Sequence, residues 1–473
     1  MQSYAAPMAA LHTPAERRLW LAIGAFAAFG LALRIAAGQG ALWLDEAWSA
    51  WYADATGTPL GVFLNINHDN NHHLNTLWLQ LVGADAPPLV QRALSILTGT
   101  AAVFVAAMIA RRQGAWPALL AALLFAVSPM LVTYGAEARG YAPMLLALLL
   151  VTLVVLQWLD APSERPLHAG GVAIAVALGM LAQLTMIFGL AAIAVAAGAG
   201  LLLRMPWRSA LKQGLPLMLA LFAPALGVIA LVLGIGAAQD GFQFGNIDTF
   251  SPTAWAEGLA MLLRYAVGGP VALAVAIALA VFAATRLKSL TSDVILFVTM
   301  TVAVPLGLLV LQFGNAGMPR YHLVGGVGLL MLAAVGGGTL FARRGAAHWI
   351  AAACLVTITA GALIADRSII ENRRADPSLA IEAMQRRAPA GTAVAVERDR
   401  AFAVLEIAAL QANYPLVIEE ARCPAARFLF IDRDGNQPFP AQPQRCGVRF
   451  ATVAESEAEG LSGSHWQLYQ AIP

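Results

Sequence analysis

Charge is scarce in this chain. Asp, Glu, Lys and Arg together make up 12% of its 473 residues, about half the share usual in soluble domains. Hydrophobic residues reach 59% and the mean hydropathy is +0.69, which excludes a water-soluble globular protein and implies an integral membrane protein. The net charge is only +2 and no polybasic run occurs, so nucleic acid is not an expected partner. No HExxH metal signature and no Gly-rich dinucleotide motif is present. A small-residue cleavage site after a short apolar core is also lacking, so the first apolar run reads as a retained membrane helix. Cysteine is rare. Cys354 lies within an apolar run, whereas Cys423 and Cys446 share a polar C-terminal region, where an oxidising compartment would permit a disulfide.

What the chain has in abundance is long apolar runs. A helical span needs roughly 20 apolar residues, and the runs 18–38, 89–110, 116–134, 141–159, 169–187, 188–204, 214–236, 270–286, 293–313, 321–342 and 347–366 meet or approach that length. The stretch 169–204 would extend ~54 Å as one helix, too far for one pass, so two short helices turning near Met186–Gly189 are expected. The distribution of basic residues supports eleven spans. With the N-terminus (1–17) in the cytoplasm, Arg17, Arg18, Arg111, Arg112, Arg165, Arg204, Arg208, Lys212, Arg286, Lys288, Arg343 and Arg344 fall inside. Only Arg34, Arg92, Arg139, Arg264 and Arg320 fall outside or at outer helix ends. The expected organisation is a membrane domain over 18–366, with a first outer loop at about 39–88, and an extracytoplasmic domain over 367–473. Alternating runs at 391–398, 415–420 and 427–434 around the helical AFAVLEIAALQAN give that last region a small α/β fold.

The stretch after the first span concentrates the chemistry. Asp45 and Glu46 are adjacent carboxylates bracketed by Trp43, Trp48 and Trp51. A solvated connector could carry such a pair, and the tryptophans could belong to an interfacial belt. Apolar flanks, however, favour altered proton affinity and a general base. The run NINHDNNHHLNTLW holds Asn71, His68, Asp69, His72 and His73. If helical, its four-residue spacings would put His68 with His72, and Asp69 with His73, on shared faces that suit a divalent metal. A polar substrate pocket explains the same residues. Arg34, near the outer end of the first span, either snorkels to the interface or faces an acidic partner in the first loop. The short connection TYGAEARGYAP carries Glu137, Arg139 and Tyr141, and two later outer segments carry Arg264 and the Arg320–Tyr321–His322 run. Each cation suits an anionic phosphate, although a lone arginine near headgroups is also common.

In combination, LWLDEAW, NHDNNHHLNTLWLQL, the Glu-Ala-Arg-Gly-Tyr loop and the late Arg-Tyr at a helix mouth resemble the polyprenyl-phosphate-dependent glycosyltransferases of the GT-C architecture. The likeness is to the bacterial protein-O-mannosyltransferase and aminoarabinose-transferase group (family 39-like), over about 18–366. The resemblance implies a bacterial inner-membrane enzyme. It would transfer one sugar, with inversion, from a polyprenyl-phosphate donor to a lipid, glycan or protein acceptor on the periplasmic side. Asp45 would then be the base, with Glu46 the second choice and Glu137 in the acceptor network. A phosphate leaving group needs cationic stabilisation rather than a strong acid, for which Arg139, Arg264, Arg320 and His322 are available. The chain departs from the family where relatives carry a His-Pro-Pro-Leu-Tyr-like run, which here reads Asn-Asn-His-His-Leu-Asn, and where it lacks a His–Tyr pair around Gln183–Phe188. A transporter is the weaker alternative, because the charges sit in outer loops and no repeated half is seen. A non-catalytic envelope-assembly scaffold is the other.

Overall fold

A computed structural model describes residues 13–239, 241–243, 248–286, 291–419, 426–435 and 437–472. Among the described residues, seven helices are long and apolar enough to cross a membrane: Pro14–Ala37, Ala93–Arg111, Tyr141–Leu159, Trp207–Ala237, Ser292–Val310, Pro319–Phe341 and Ala346–Asn372. Two bent pairs, Ala115–Val127 with Pro129–Gly135 (58°) and Pro252–Val267 with Pro270–Thr285 (86°), bring the number to nine. The protein is a multi-pass membrane protein. The expected eleven spans also count Ala169–Ala182 and Met186–Leu202, which are indeed separate helices joined by a turn at Gln183–Thr185. At 14 and 17 residues they rise only ~21 and ~26 Å, short of a full hydrocarbon core.

The bend at Ser128 explains Arg34. Pro129 has no N–H to give the carbonyl one helical turn before it, which leaves Phe125 O without its helical donor. The Arg34 guanidinium fills the gap, donating to Phe125 O (3.1 Å), Ala126 O (3.3 Å) and its own Gly30 O (2.9 Å). Arg34 therefore neither snorkels nor pairs with an acid of the first loop. It is buried in the bundle, repairing a break that sequence reading treats as an unbroken span.

One end of the bundle is laced by ion pairs. Arg111 meets Glu16 (3.1 Å), and Arg112 meets both Asp160 (2.8 Å) and Asp293 (3.1 Å). Arg204 donates to Ser292 Oγ (2.9 Å). These residues stand at alternate helix ends, so the basic termini that charge bias groups together do share one face. Asp45, Glu137, Arg139 and Arg320 follow the other ends of the same helices.

The last membrane helix continues past 366 to Asn372, then turns through Arg373, Arg374 and Ala375, all with left-handed φ (52°, 62°, 59°). Beyond it, β1 (Thr392–Val396), β2 (Leu416–Glu419), β3 (Phe428–Arg433), β4 (Gln444–Arg445), β5 (Val448–Ser456) and β6 (His465–Ile472) form one sheet in the order β2-β1-β3-β6-β5-β4. The three alternating runs expected from sequence become β1, β2 and β3, which pair in parallel, and the antiparallel half adds β4, β5 and β6. Helices Ser378–Arg387 and Ala401–Gln411 cover one face, burying Val394, Phe428, Phe430, Trp466 and Leu468. Cys446 is disulfide-bonded and Cys354 is free. Cys423 lies outside the described residues.

Candidate active site

Asp45 and Glu46 begin the helix Leu44–Ala55, where carboxylates complement the exposed amides of the first turn. Consecutive helical residues point about 100° apart, and the adjacent acids diverge accordingly. Glu46 turns inward and is fully buried. Its oxygens receive Arg92 Nε (2.9 Å) and Nη2 (2.6 Å), the Ala138 N–H (2.6 Å) and the Trp43 N–H (3.2 Å). Burial by itself would raise its carboxyl, but Arg92 and the Ala138 amide outweigh that and hold it below the usual carboxylate value. With both oxygens occupied and no solvent access, Glu46 does not fit the role of alternative base. It is a structural anion.

Asp45 turns the other way and keeps 23% of its side chain exposed. Its Oδ2 lies 2.8 Å from Arg139 Nη1 and 3.7 Å from Arg320 Nη1. The sequence separation of these three groups, 94 and 275 residues, makes the cluster a product of the fold. Arg139 is nearly enclosed, its guanidinium over the rings of Tyr141 (5.0 Å) and Trp43 (5.7 Å). Arg320 is more open, at 31% exposed, and stacks near Tyr321 (6.0 Å).

The histidine-rich loop supports this cluster from one side. Arg139 Nη2 lies 3.2 Å from Asn70 Oδ1 and 3.3 Å from His72 Nε2. An arginine can only donate, so His72 Nε2 is the acceptor, and its Nδ1–H faces Ala182 O at 3.2 Å. That is the neutral tautomer. Burial and the neighbouring Arg139 hold the imidazole well below its ordinary value. Gly140 makes this contact feasible, since a Cβ there would stand 1.7 Å from Ala182 O. Asn70 also donates to Asp45 O (2.8 Å) and Ser49 Oγ (3.2 Å), and was missed as a site residue by sequence reading.

The other expected site residues are distributed differently. Asn71 donates to Val62 O and Ile66 O, closing its own loop. His73 stacks on Phe63 (5.2 Å), and burial lowers its imidazole to about 4. His322 is buried with Nε2 2.8 Å from Ala316 O. Arg264 stands exposed on Pro252–Val267 and belongs to none of the ion pairs of the cluster. Glu137 is fully buried, with Oε1 3.4 Å from Arg374 Nε, and burial pushes its carboxyl up despite Arg374. It faces the C-terminal linker rather than the cleft, which corrects its expected place in a substrate network.

The metal expectation rests on a helical 68–73, and that premise fails: the helix begins at His73. His68 instead points to Asp69 (2.9 Å), and its backbone bridges to Gln243, which follows the helix Trp207–Ala237. Among the described residues no three His, Cys, Asp or Glu side chains gather to hold a metal ion.

Of the cluster formed by Asp45, Arg139 and Arg320, the stretch 73–233 supplies Arg139. That stretch matches the family described as dolichyl-phosphate-mannose-protein mannosyltransferase. Over that third of the chain, the sequence is similar to this family. The fold is similar to that of ArnT from Cupriavidus metallidurans in the apo state, with a TM-score of 0.54 at 11% identity, over 94% of this chain and 97% of that one. The same protein bound to undecaprenyl phosphate gives a TM-score of 0.49 at 12% identity over the same shares. The apo oligosaccharyltransferase of Archaeoglobus fulgidus gives 0.48 at 12% identity, covering 85% of this chain and 64% of that longer one. No curated protein matches the chain.

Proposed function

We propose that this protein transfers a sugar from a polyprenyl-phosphate donor to an acceptor on the outer, periplasmic face of a bacterial inner membrane. Asp45 acts as the general base. The observation that carries this reading is Asp45 Oδ2 held 2.8 Å from Arg139 and 3.7 Å from Arg320 while the carboxylate stays partly open. An arriving lipid phosphate competes with Asp45 for both guanidiniums, whose planar forks suit phosphate oxygens. Asp45 is thereby freed to take the proton of an acceptor hydroxyl, while Arg139 and Arg320 stabilise the charge growing on the leaving phosphate. Attack from the face opposite the phosphate inverts the anomeric centre. Tyr141 and Trp43 form the apolar floor that fixes Arg139.

The experiment is transfer from labelled polyprenyl-phosphate sugars by the purified protein in nanodiscs, with a panel of acceptors. Wild-type turnover that is lost in Asp45→Asn supports the reading. Wild-type silence with every donor and acceptor pair counts against it.

A further inference from the structure

The Ala136–Arg139 loop, which presents Arg139 to Asp45, is held from four different elements. Ala138 N–H donates to Glu46 (2.6 Å), Ala138 O accepts from Asn75 (2.6 Å) and Arg139 O accepts from Ser95 (2.9 Å). The fourth grip comes from the far end of the chain. Arg374 Nη2 donates to Ala136 O (2.8 Å) and Nη1 donates to Ala37 O (3.0 Å), while Nε lies 3.4 Å from Glu137. Arg374 is 3% exposed and sits in the left-handed turn Arg373–Ala375. Non-glycine residues are disfavoured in that region, so surrounding contacts must hold the turn. Those contacts run to the C-terminal sheet and the first loop: Trp466 Nε1 donates to Ala375 O (2.6 Å), and Asp376 accepts from Ala41 N (2.9 Å).

We infer that Arg374 is a positioning residue for glycosyl transfer: the C-terminal region, through this side chain, holds the Ala136–Arg139 loop so that Arg139 meets Asp45 and the donor phosphate. The inference rests on the proposed function for its kinetic consequence but not for its structural one. Arg374 touches no substrate. Its fork spans the carbonyls of Ala37 and Ala136, which follow two different membrane helices, so it fixes the loop relative to the start of the Asp45 segment.

The test uses the full chain in nanodiscs with Arg374→Lys and Arg374→Gln, and with Arg386→Ala on the exposed face of Ser378–Arg387 as control. Lysine keeps the charge but cannot reach both carbonyls, and so guards against a variant that only misfolds. Hydrogen exchange in peptides covering 134–141 is expected to quicken about 10-fold in both Arg374 variants, the scale of a lost charged hydrogen bond, with β1 and β3 unchanged. With a working donor, kcat should fall about 10-fold or more, in proportion to loop exchange, with Lys less affected than Gln. Unchanged exchange at 134–141 overturns the inference. So does exchange that rises equally across β1 and β3, which would make Arg374 a general packing residue. If the wild type transfers no sugar, the functional reading fails, while the exchange result still decides the positioning role.

Discussion

Replacing Glu46 by Gln removes the charge from the most enclosed ion pair of the first loop. Both partners are fully buried, and Arg92 Nη2 lies 2.6 Å from Glu46 Oε2. The Arg92 guanidinium also donates to Gly38 O (2.8 Å), Gly40 O (2.7 Å) and Ala41 O (2.9 Å), so it cannot swing to solvent without abandoning the turn after the first span. Removing one member of such a pair leaves an uncompensated buried charge, which costs about 3–5 kcal/mol. Denaturation in mild detergent, followed by tryptophan fluorescence, should show a loss of that size. The pH dependence gives a second handle. Because the carboxyl of Glu46 is held below its ordinary value, its contribution is complete above about pH 4.5 and is lost as pH falls through the lowered value. Glu46→Gln should therefore flatten the acid limb of stability below about pH 4.5. A change under ~1 kcal/mol with the acid limb intact would refute the pairing, since that is the scale of an exposed salt bridge.

Three further outcomes follow from the geometry. Gly135→Ala would place a Cβ 2.6 Å from Arg34 Nε, and should cost about 1–3 kcal/mol as overpacking, read as a lowered midpoint in the same denaturation assay. His72 and His73 are both held below their ordinary values, so they stabilise the fold above about pH 6.5. That stability declines as pH falls from there toward 4, by at most ~1.4 kcal/mol per pH unit per group; His73→Phe should remove one share of the decline. Arg320→Ala, losing the more open of the two cleft cations, should weaken donor binding about 10-fold, the range of a charge-assisted hydrogen bond, measured as KM for the polyprenyl-phosphate sugar.

Much of the membrane architecture was legible because apolar run length and the bias of basic residues follow directly from bilayer physics. The helices begin and end near the expected limits, and the length of the run 169–204 shows that it divides, although the turn lies at Gln183–Thr185 rather than near Met186–Gly189. The break at Ser128–Pro129 is less so, since it depends on Arg34, 91 residues away from Phe125, to supply the missing donor. In the site, the first loop and the Glu-Ala-Arg-Gly-Tyr loop were recognisable as polar islands in an apolar chain. Composition cannot say which of two adjacent carboxylates faces a cleft; helical rotation and the buried Arg92 decide that for Asp45 and Glu46. Arg92 and Arg374 were invisible as structural partners because their carbonyl and carboxylate acceptors come from segments far away in sequence. The spacing of His68 and His72 misled for the opposite reason, being local but not helical.

The central claim is that Asp45 is the base, and sugar transfer by Asp45→Asn tests it most directly. Asparagine keeps the size and the hydrogen-bonding reach of the side chain while removing its ability to take a proton. The measurement is single-turnover transfer from a labelled polyprenyl-phosphate sugar to an acceptor that the wild type uses, with size exclusion showing that the variant is folded. A fall of about 10²–10⁴-fold in rate, the usual contribution of general base catalysis, with donor binding retained, is the predicted result. Transfer at the wild-type rate by a folded Asp45→Asn protein would contradict the account.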